Sequence, residues 1–429
     1  MNDASAADAE GSAVPVFRID LSLPPFERYV ELAMRYRDQM RSLTGLFDEL
    51  LISIHPSIPL GMVHWVARLC QRRLYADEET EELQGISRAT GIEMYLLVSF
   101  NVVLDLLMGC TSGAVKLEYV RSPEVNKVLG TSITYVGFTG ILTGVRRGLS
   151  VSLNFRPVHD PRKNVRYYFN HLLILLGRQQ SISSLLRQCI LHTPRQRSKS
   201  ISPLSRREKL KEEHLAIWES IDDLVGRVAQ MPTTAAYLTF SDGVTTVVME
   251  KDYRSAVVRS SSSFIAVTNH DQQPDSASPE TVADQRRRRT GLGVMSSEVQ
   301  TVADLIEEST ERLGCMQAKW DRKVRQATRA KKPENSTMDG TGSRFDPAGR
   351  TRASVRLRRK IDQAEGAQES QRSEDEADGI FAKQSEVIQW LSEYPVLNET
   401  THYAAIMDPS EGKVAWVRRY LEPLFMDEI

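Results

Sequence analysis

The sequence predicts an α+β fold, and three observations carry that expectation. After one opening strand, the first hundred residues have the periodicity of helices. From Gly109 onward, short alternating apolar runs appear and paired strands alternate with helices. The 429 residues, 41% of them hydrophobic, supply enough apolar surface for a sizeable core in one large or two ordinary domains.

Each element has a local reason. Residues 16–23 alternate apolar and polar side chains and read as a strand, which Pro24 and Pro25 end because neither can donate to a ladder. Residues 26–71 carry helical periodicity, interrupted at His55-Pro56 and at Pro59. A further helix is expected over 77–89, and 92–108 reads as a buried helix that Gly109 breaks. Strands are expected at 129–137, 148–155, 235–240, 244–250 and 263–268, with helices at 166–191 and 213–228. Near the end, a helix over 386–394 precedes a strand pair, 400–407 and 413–418, around the turn 408–412.

Two stretches read as loops. Residues 193–211 are rich in Arg, Ser and Lys. In the longer one, 319–379, residues 319–360 hold 14 Lys/Arg against 4 Asp/Glu, and 362–378 hold 7 acidic residues against one Arg. Low hydrophobicity and blocky charge predict a disordered insertion. Its basic half could meet anionic lipid headgroups or nucleic acid, but only Trp320 and Phe345 interrupt it as aromatics, and an insertion without a partner is the preferred reading.

Composition narrows the function classes. Lys+Arg 55 against Asp+Glu 56 gives a net charge of -1, so the whole molecule is not an electrostatic nucleic-acid binder. The four cysteines, Cys70, Cys110, Cys189 and Cys315, contain no CxxC pair, and no zinc spacing joins them to the scattered histidines. No cofactor or metal is expected. Residues 1–13 are small, polar and acidic, unlike a secretory signal, and the apolar stretch 95–108 contains Asn101 and Asp105 and is too short to span a bilayer. A cytoplasmic protein is the default expectation.

Cys110 is the sharpest local feature. It follows an apolar helix and Gly109 and precedes Thr111 and Ser112. A free Cys is usually a buried small hydrophobe; it is also the best side-chain nucleophile near neutral pH once something makes it a thiolate. Position alone favours the first reading.

A resemblance changes that balance. The segment Ile19-Asp20-Leu21-Ser22-Leu23-Pro24-Pro25-Phe26-Glu27-Arg28-Tyr29 resembles the opening of the acid ceramidase and N-acylethanolamine acid amidase family, of the choloylglycine-hydrolase-like N-terminal-nucleophile hydrolases. So do Val98-Ser99-Phe100-Asn101 leading into Gly109-Cys110-Thr111-Ser112, the Gly-rich segment Tyr135 to Gly144, and Leu149 to Asn154. Thr268-Asn269-His270-Asp271, Arg288-Arg289-Thr290, Tyr394-Pro395-Val396-Leu397-Asn398 and Thr401-His402-Tyr403 continue the match in order. The resemblance spans 15–318 and 386–418 and suggests a fungal-type member with a deletion after the nucleophile.

The resemblance implies an αββα sandwich. It divides the chain into a disordered 1–14, a helical α-subunit-like region 15–109, a β-subunit-like domain of 110–318 and 380–429, and the insertion 319–379. It implies self-cleavage between Gly109 and Cys110. Cys110 would then attack an amide carbonyl, with its own α-amine as base. Asn269 matches the oxyanion-hole Asn, Arg288 a site arginine, and Asn154 is a further candidate contact. By residue type alone, Asn269 before His-Asp also reads as a turn residue, and Arg288 within Arg286 to Arg289 as one of a solvated basic run. The implied substrate is an N-acyl lipid, ceramide or an N-acylethanolamine, with transient membrane-surface contact, no nucleic acid and no obligate protein partner. Members with a leader are lysosomal or vacuolar.

Departures from the family pattern are as specific as the matches. Cys110-Thr111-Ser112 is followed by Gly113-Ala114-Val115-Lys116-Leu117-Glu118-Tyr119, without the family's hairpin and its Arg-Asn-x-Asp motif, and Phe155 replaces an acidic residue. The loss of two central strands predicts exposed sheet edges. Two functions are weighed: an amidase of N-acyl lipids walled by the apolar stretches 95–108 and 172–176, and a catalytically impaired homologue that binds lipid or a partner. The same two stretches also read as ordinary core.

Overall fold

The computed structural model describes residues 13–42, 44, 45, 48, 59–107, 114–121, 127–157, 164–191, 220–272, 302–331, 379–398 and 401–420. These residues form an α+β structure around one eight-stranded sheet whose strands lie in chain order. Strand β1 (Val16–Asp20) runs parallel to β2 (Ala114–Val120). Every later neighbour is antiparallel, through β3 (Gly130–Tyr135), β4 (Thr143–Arg146), β5 (Leu149–Phe155), β6 (Ala236–Ser241), β7 (Thr246–Lys251) and β8 (Ala256–Ser261). Strand β1 covers one side of β2 and β3 the other, so β2 has no open edge and the N-terminal segment supplies part of its pairing.

Before β2 the chain is helical, as its periodicity predicts. A 3₁₀ turn (Pro25–Glu27) leads into α1 (Val30–Arg35), α2 (Arg37–Ser42), α3 (Leu60–Cys70), α4 (Asp77–Thr90) and α5 (Met94–Leu107). Helix α4 carries Asp77, Glu78 and Glu79 in its first turn, where the helix dipole favours negative charge, and ends on Gly91 at φ +76. The single helix expected over 166–191 is two helices, α6 (Asn164–Leu175) and α7 (Ile182–Leu191). Gly177 breaks it at φ +62, and a Cβ there would come within 2.5 Å of the Arg73 carbonyl oxygen.

Helices α5, α7 and α8 (Ile221–Gln230) pack on the sheet. Helix α8 is capped by Ser220, whose hydroxyl accepts the Asp223 N–H at 3.2 Å. The opposite face of the sheet carries a hairpin, β9 (Tyr403–Asp408) and β10 (Lys413–Arg419). The two faces are told apart on β4. A Cβ on Gly144 would meet Ile190 of α7, whereas the adjacent Thr143 bonds the Tyr403 hydroxyl at 2.9 Å. A smaller apolar cluster joins α9 (Val302–Lys331) to α10 (Gln384–Leu391), with Phe264 stacked on Trp320 and Trp390 beside them. Lys323 to Glu386 ties the same two helices at 2.7 Å, and Lys319 to Glu393, also at 2.7 Å, ties α9 to the turn after α10.

Some expectations shift. Residues 263–268 form no ladder; the eighth strand lies just before them, and Phe264 packs on α9 instead. The boundary expected at Lys319 falls inside α9, with Trp320 buried. Residues 1–12, 193–211 and 332–378 lie outside the described residues.

A buried charge cluster joins the helical region to the sheet. Arg187 of α7 donates two bonds to Glu82 of α4, at 2.6 and 2.7 Å, and a third to the Thr139 carbonyl at 2.7 Å. Glu82 is fully buried and also accepts from Arg28 at 3.1 Å. Glu79 lies 3.9 Å from Arg187. Burial pushes its carboxyl up to about 7, only partly offset by Arg187.

Two outcomes follow from this cluster. Arg187→Met leaves Glu82 buried without its main partner and should cost on the order of 3–5 kcal/mol in denaturant unfolding, part of which Glu82→Leu in the same chain restores. Glu79 keeps its proton in the folded state up to about pH 7, whereas the unfolded chain loses it near the ordinary 4.5. The native state thus binds the extra proton between those values, and stability falls as pH rises through that window, by up to about 3 kcal/mol. Glu79→Gln should flatten that slope in unfolding titrations from pH 4 to pH 8.

Candidate active site

The ladder register defines one rim of the sheet. Ala114 at the start of β2 faces Tyr135 at the end of β3, and Phe155 at the end of β5 faces Ala236, which faces Lys251, which faces Ala256. The chain therefore enters β2 at the rim where β3, β5 and β7 end. Residues 108–113, Cys110 among them, lie outside the described residues. Their flanks are fixed: Leu107 ends α5 and Ala114 opens β2. Buried Asn101 holds α5 to the loop after β3. It donates to the Leu97 and Gly137 carbonyls, both at 2.9 Å, and accepts the Thr139 N–H at 2.8 Å. Both flanks of the Cys110 segment thus lead to this rim.

Asn269 is held at the same rim, farther along the sheet. Its Nδ2 donates to the Phe155 carbonyl at 2.8 Å, and its Oδ1 lies 3.4 Å from the Arg312 Nη2 of α9. Its backbone N–H donates to Ser309 Oγ at 2.6 Å. Two residues on, Asp271 accepts a bidentate pair from Arg156, at 2.8 and 2.7 Å, and a bond from the Tyr237 hydroxyl at 2.7 Å. Gln272 N–H donates to Glu250 at 3.1 Å. Asn154, Tyr237 and Glu250 are direct neighbours across β5, β6 and β7 and so project from one face, over which this loop is tied.

The electrostatics are set by burial and by Asp271. Burial, and then the Asp271 carboxylate, raise the Tyr237 phenol well above its ordinary value, so it stays a donor. Burial opposes charge on Arg156, but its bonds to Asp271 keep the guanidinium charged. Burial lowers His270 below the ordinary imidazole range. Such a rim can hold a neutral amide donor in fixed orientation beside the bidentate Arg156–Asp271 ion pair. Among the described residues no cluster of His, Cys, Asp or Glu could hold a metal ion.

Of the residues singled out in the sequence, the structure brings Asn269 and Asn154 to this rim, and Arg288 and Cys110 lie outside the described residues. The arginine beside Asn269 is Arg312, on α9. Arg156, Tyr237, Ser309 and Arg312 were not singled out. Arg156 directly follows the Leu-Asn strand and Asp271 completes the Asn-His-Asp run, so their pairing had a local trace; Ser309 and Arg312 sit in a charged helix without one.

Comparison with known proteins gives these motifs a context. A family model described as the beta subunit of N-acylethanolamine-hydrolyzing acid amidase matches residues 12–75. Acid ceramidase of Homo sapiens is 28% identical over 181 residues, covering 40% of this chain and 45% of the relative. Acid ceramidase of Mus musculus is 26% identical over 189 residues, 33% of this chain and 46% of the relative. N-acylethanolamine-hydrolyzing acid amidase of Caenorhabditis elegans is 28% identical over 173 residues, 33% of this chain and 47% of the relative. The chain spans less than half the length of these curated relatives. A solved structure of the Caenorhabditis elegans N-acylethanolamine-hydrolyzing acid amidase ortholog overlaps 69% of this chain and 80% of its own, at 14% identity and a TM-score of 0.31. With its motifs in family order, the chain is similar over part of its length to acid ceramidases and to N-acylethanolamine-hydrolyzing acid amidases.

Proposed function

We propose that the chain hydrolyses the amide bond of N-acyl lipids, ceramide or N-acylethanolamines, with Cys110 as nucleophile after self-cleavage between Gly109 and Cys110. The observation that supports this most is the convergence at one rim: the Asn269 loop is bonded at the sheet end to which both flanks of residues 108–113 lead. The names of the relatives supply the substrate class.

In the proposed reaction, the freed α-amine of Cys110, with an ordinary pKa of about 8, takes the thiol proton. The thiolate attacks the amide carbon, and the carbonyl oxygen becomes an oxyanion that an Asn269 N–H stabilises. Such a donor is worth roughly 3–4 kcal/mol. Collapse breaks the C–N bond; the leaving amine takes the proton from the α-ammonium, and an acyl thioester remains. Water then attacks the thioester, giving the proton back to the thiolate and releasing the fatty acid. Arg288 carries the role of ordering the site, and Arg312 holds the Asn269 oxygen. Without Arg-Asn-x-Asp, thiol activation falls to the α-amine.

A membrane-surface role belongs to the same reading. Helix α3 exposes Met62, Trp65, Val66 and Leu69, and α6 exposes Val165, Tyr168, Phe169 and Leu172, each at i, i+3, i+4, i+7 spacing. Neither helix contains Asp or Glu, and Arg68, Arg72, Arg73, Arg166 and Arg178 lie on or beside them. Apolar stripes with cationic flanks suit an anionic lipid surface. Among the described residues no helix is long and apolar enough to cross a membrane.

Two measurements test this reading. Purified wild-type protein should show a new N-terminus at Cys110 by mass spectrometry and release fatty acid from ceramide or an N-acylethanolamine, and Cys110→Ala should lose both. Lipid binding with no turnover and an intact 109–110 bond would leave the impaired homologue. Sedimentation with anionic vesicles should exceed that with neutral phosphatidylcholine, and Trp65→Ser with Phe169→Ser should weaken it at least about tenfold, since each buried large apolar side chain is worth roughly 1.5–3 kcal/mol. Equal binding by that double variant would remove the surface role.

A further inference from the structure

Ser309 stands where three demands meet. It lies on α9 and is fully buried. Its Oγ is 2.6 Å from the Asn269 backbone nitrogen and 2.9 Å from the His270 Nδ1. A hydroxyl has one proton to give and two lone pairs to accept with. The Asn269 N–H occupies one lone pair. If Nδ1 carried a proton, it would occupy the other, and the Ser309 proton would need an acceptor elsewhere, although Ser309 itself has no surface open to water. The consistent arrangement has Ser309 donating to an unprotonated Nδ1, with the imidazole proton on Nε2. Thr268 Oγ1, 3.2 Å from the same nitrogen, flanks this contact.

We propose that Ser309 is a positioning residue of this site: its hydroxyl seats the Asn269 backbone and locks His270 as the Nε2–H tautomer, so that the Asn269 amide holds one orientation. Its catalytic consequence rests on the amidase reading above; its structural half does not. The amide orientation is then over-determined. Arg312, one turn along α9 from Ser309, claims Oδ1, and the Phe155 carbonyl accepts one Nδ2 proton, which leaves the other for a substrate carbonyl oxygen. An Asn side chain reads equally well with oxygen and nitrogen exchanged, and flipping it would present an acceptor to an oxyanion. Two contacts from one helix fix the backbone and the side chain together, so α9 acts as the jig for the loop. Burial, which holds His270 below the ordinary imidazole range, agrees with the neutral tautomer.

The test uses the full chain with Ser309→Cys, which keeps the volume and has a much weaker hydrogen-bonding group, and Ser309→Ala as a second variant. With ceramide or an N-acylethanolamine as substrate, Ser309→Cys should lower kcat at least about tenfold with KM within about twofold, at near wild-type thermal stability. In protein labelled with ¹⁵N-histidine, the wild-type His270 should show a protonated Nε2 and a hydrogen-bonded, unprotonated Nδ1, a signature lost in the variant. Wild-type kcat together with an unchanged His270 signature in Ser309→Cys would overturn the proposal. Should the wild type show no hydrolysis, the amidase reading falls, and the tautomer comparison alone decides for or against Ser309. If Ser309→Ala does not fold, Ser309→Cys carries both readouts.

Discussion

The paired Arg187 and Glu82 are the contact on which the rest of the molecule leans. Arg187 belongs to α7, which lies across β3, β4 and β5; Glu82 belongs to α4, against which α1, α2 and the 3₁₀ turn pack. Neither group is accessible to water, so each depends on the other and on Arg28 and the Thr139 carbonyl for its bonds. Apolar packing alone would let the helical region slide on the sheet. A two-pronged ionic bond does not, because a shift of an ångström leaves a charge unpaired in a dry interior.

That rigidity reaches the rim through Thr139. Its carbonyl is held by Arg187 and its N–H by Asn101, so the loop after β3 and the helix leading to Cys110 share one anchor. At the other end of the rim, Asp271 is locked by Arg156 and Tyr237, so the loop carrying Asn269 is rooted in the sheet rather than free to swing. Fixed dipoles held on rigid elements are what an acyl-transfer site requires, since a donor that must reorganise loses most of its value.

Much of this was legible in the sequence, for identifiable reasons. Helix α4 shows itself by acidic residues at its start and Gly91 at its end, β5 and β6 by alternation, and β7 by the short apolar run Val247-Val248-Met249. Strand β4 is four residues with a glycine, too short for a periodic signal, and β8 is rich in serine. Residues 263–268 look like a strand because Phe264 and Ile265 are apolar, but Phe264 is half-buried by stacking on Trp320 rather than by joining a ladder. The break at Gly177 depends on the Arg73 carbonyl, a neighbour more than a hundred positions away in the chain, which no window along the sequence contains. At the site, Asn269 was found through its surrounding residues, whereas Ser309 and Arg312 reach it only because α9 folds back across some forty intervening positions.

The parallel pairing of β1 with β2 has a topological consequence. These two strands lie on opposite sides of residues 108–113, as do Glu82 and Arg187. A scission within that stretch would produce two polypeptides already knitted by a shared ladder and an interior ionic clasp. They would not drift apart on dilution, and neither would keep its shape without the other. Backbone breakage there would change the number of chain ends, not the number of particles in solution.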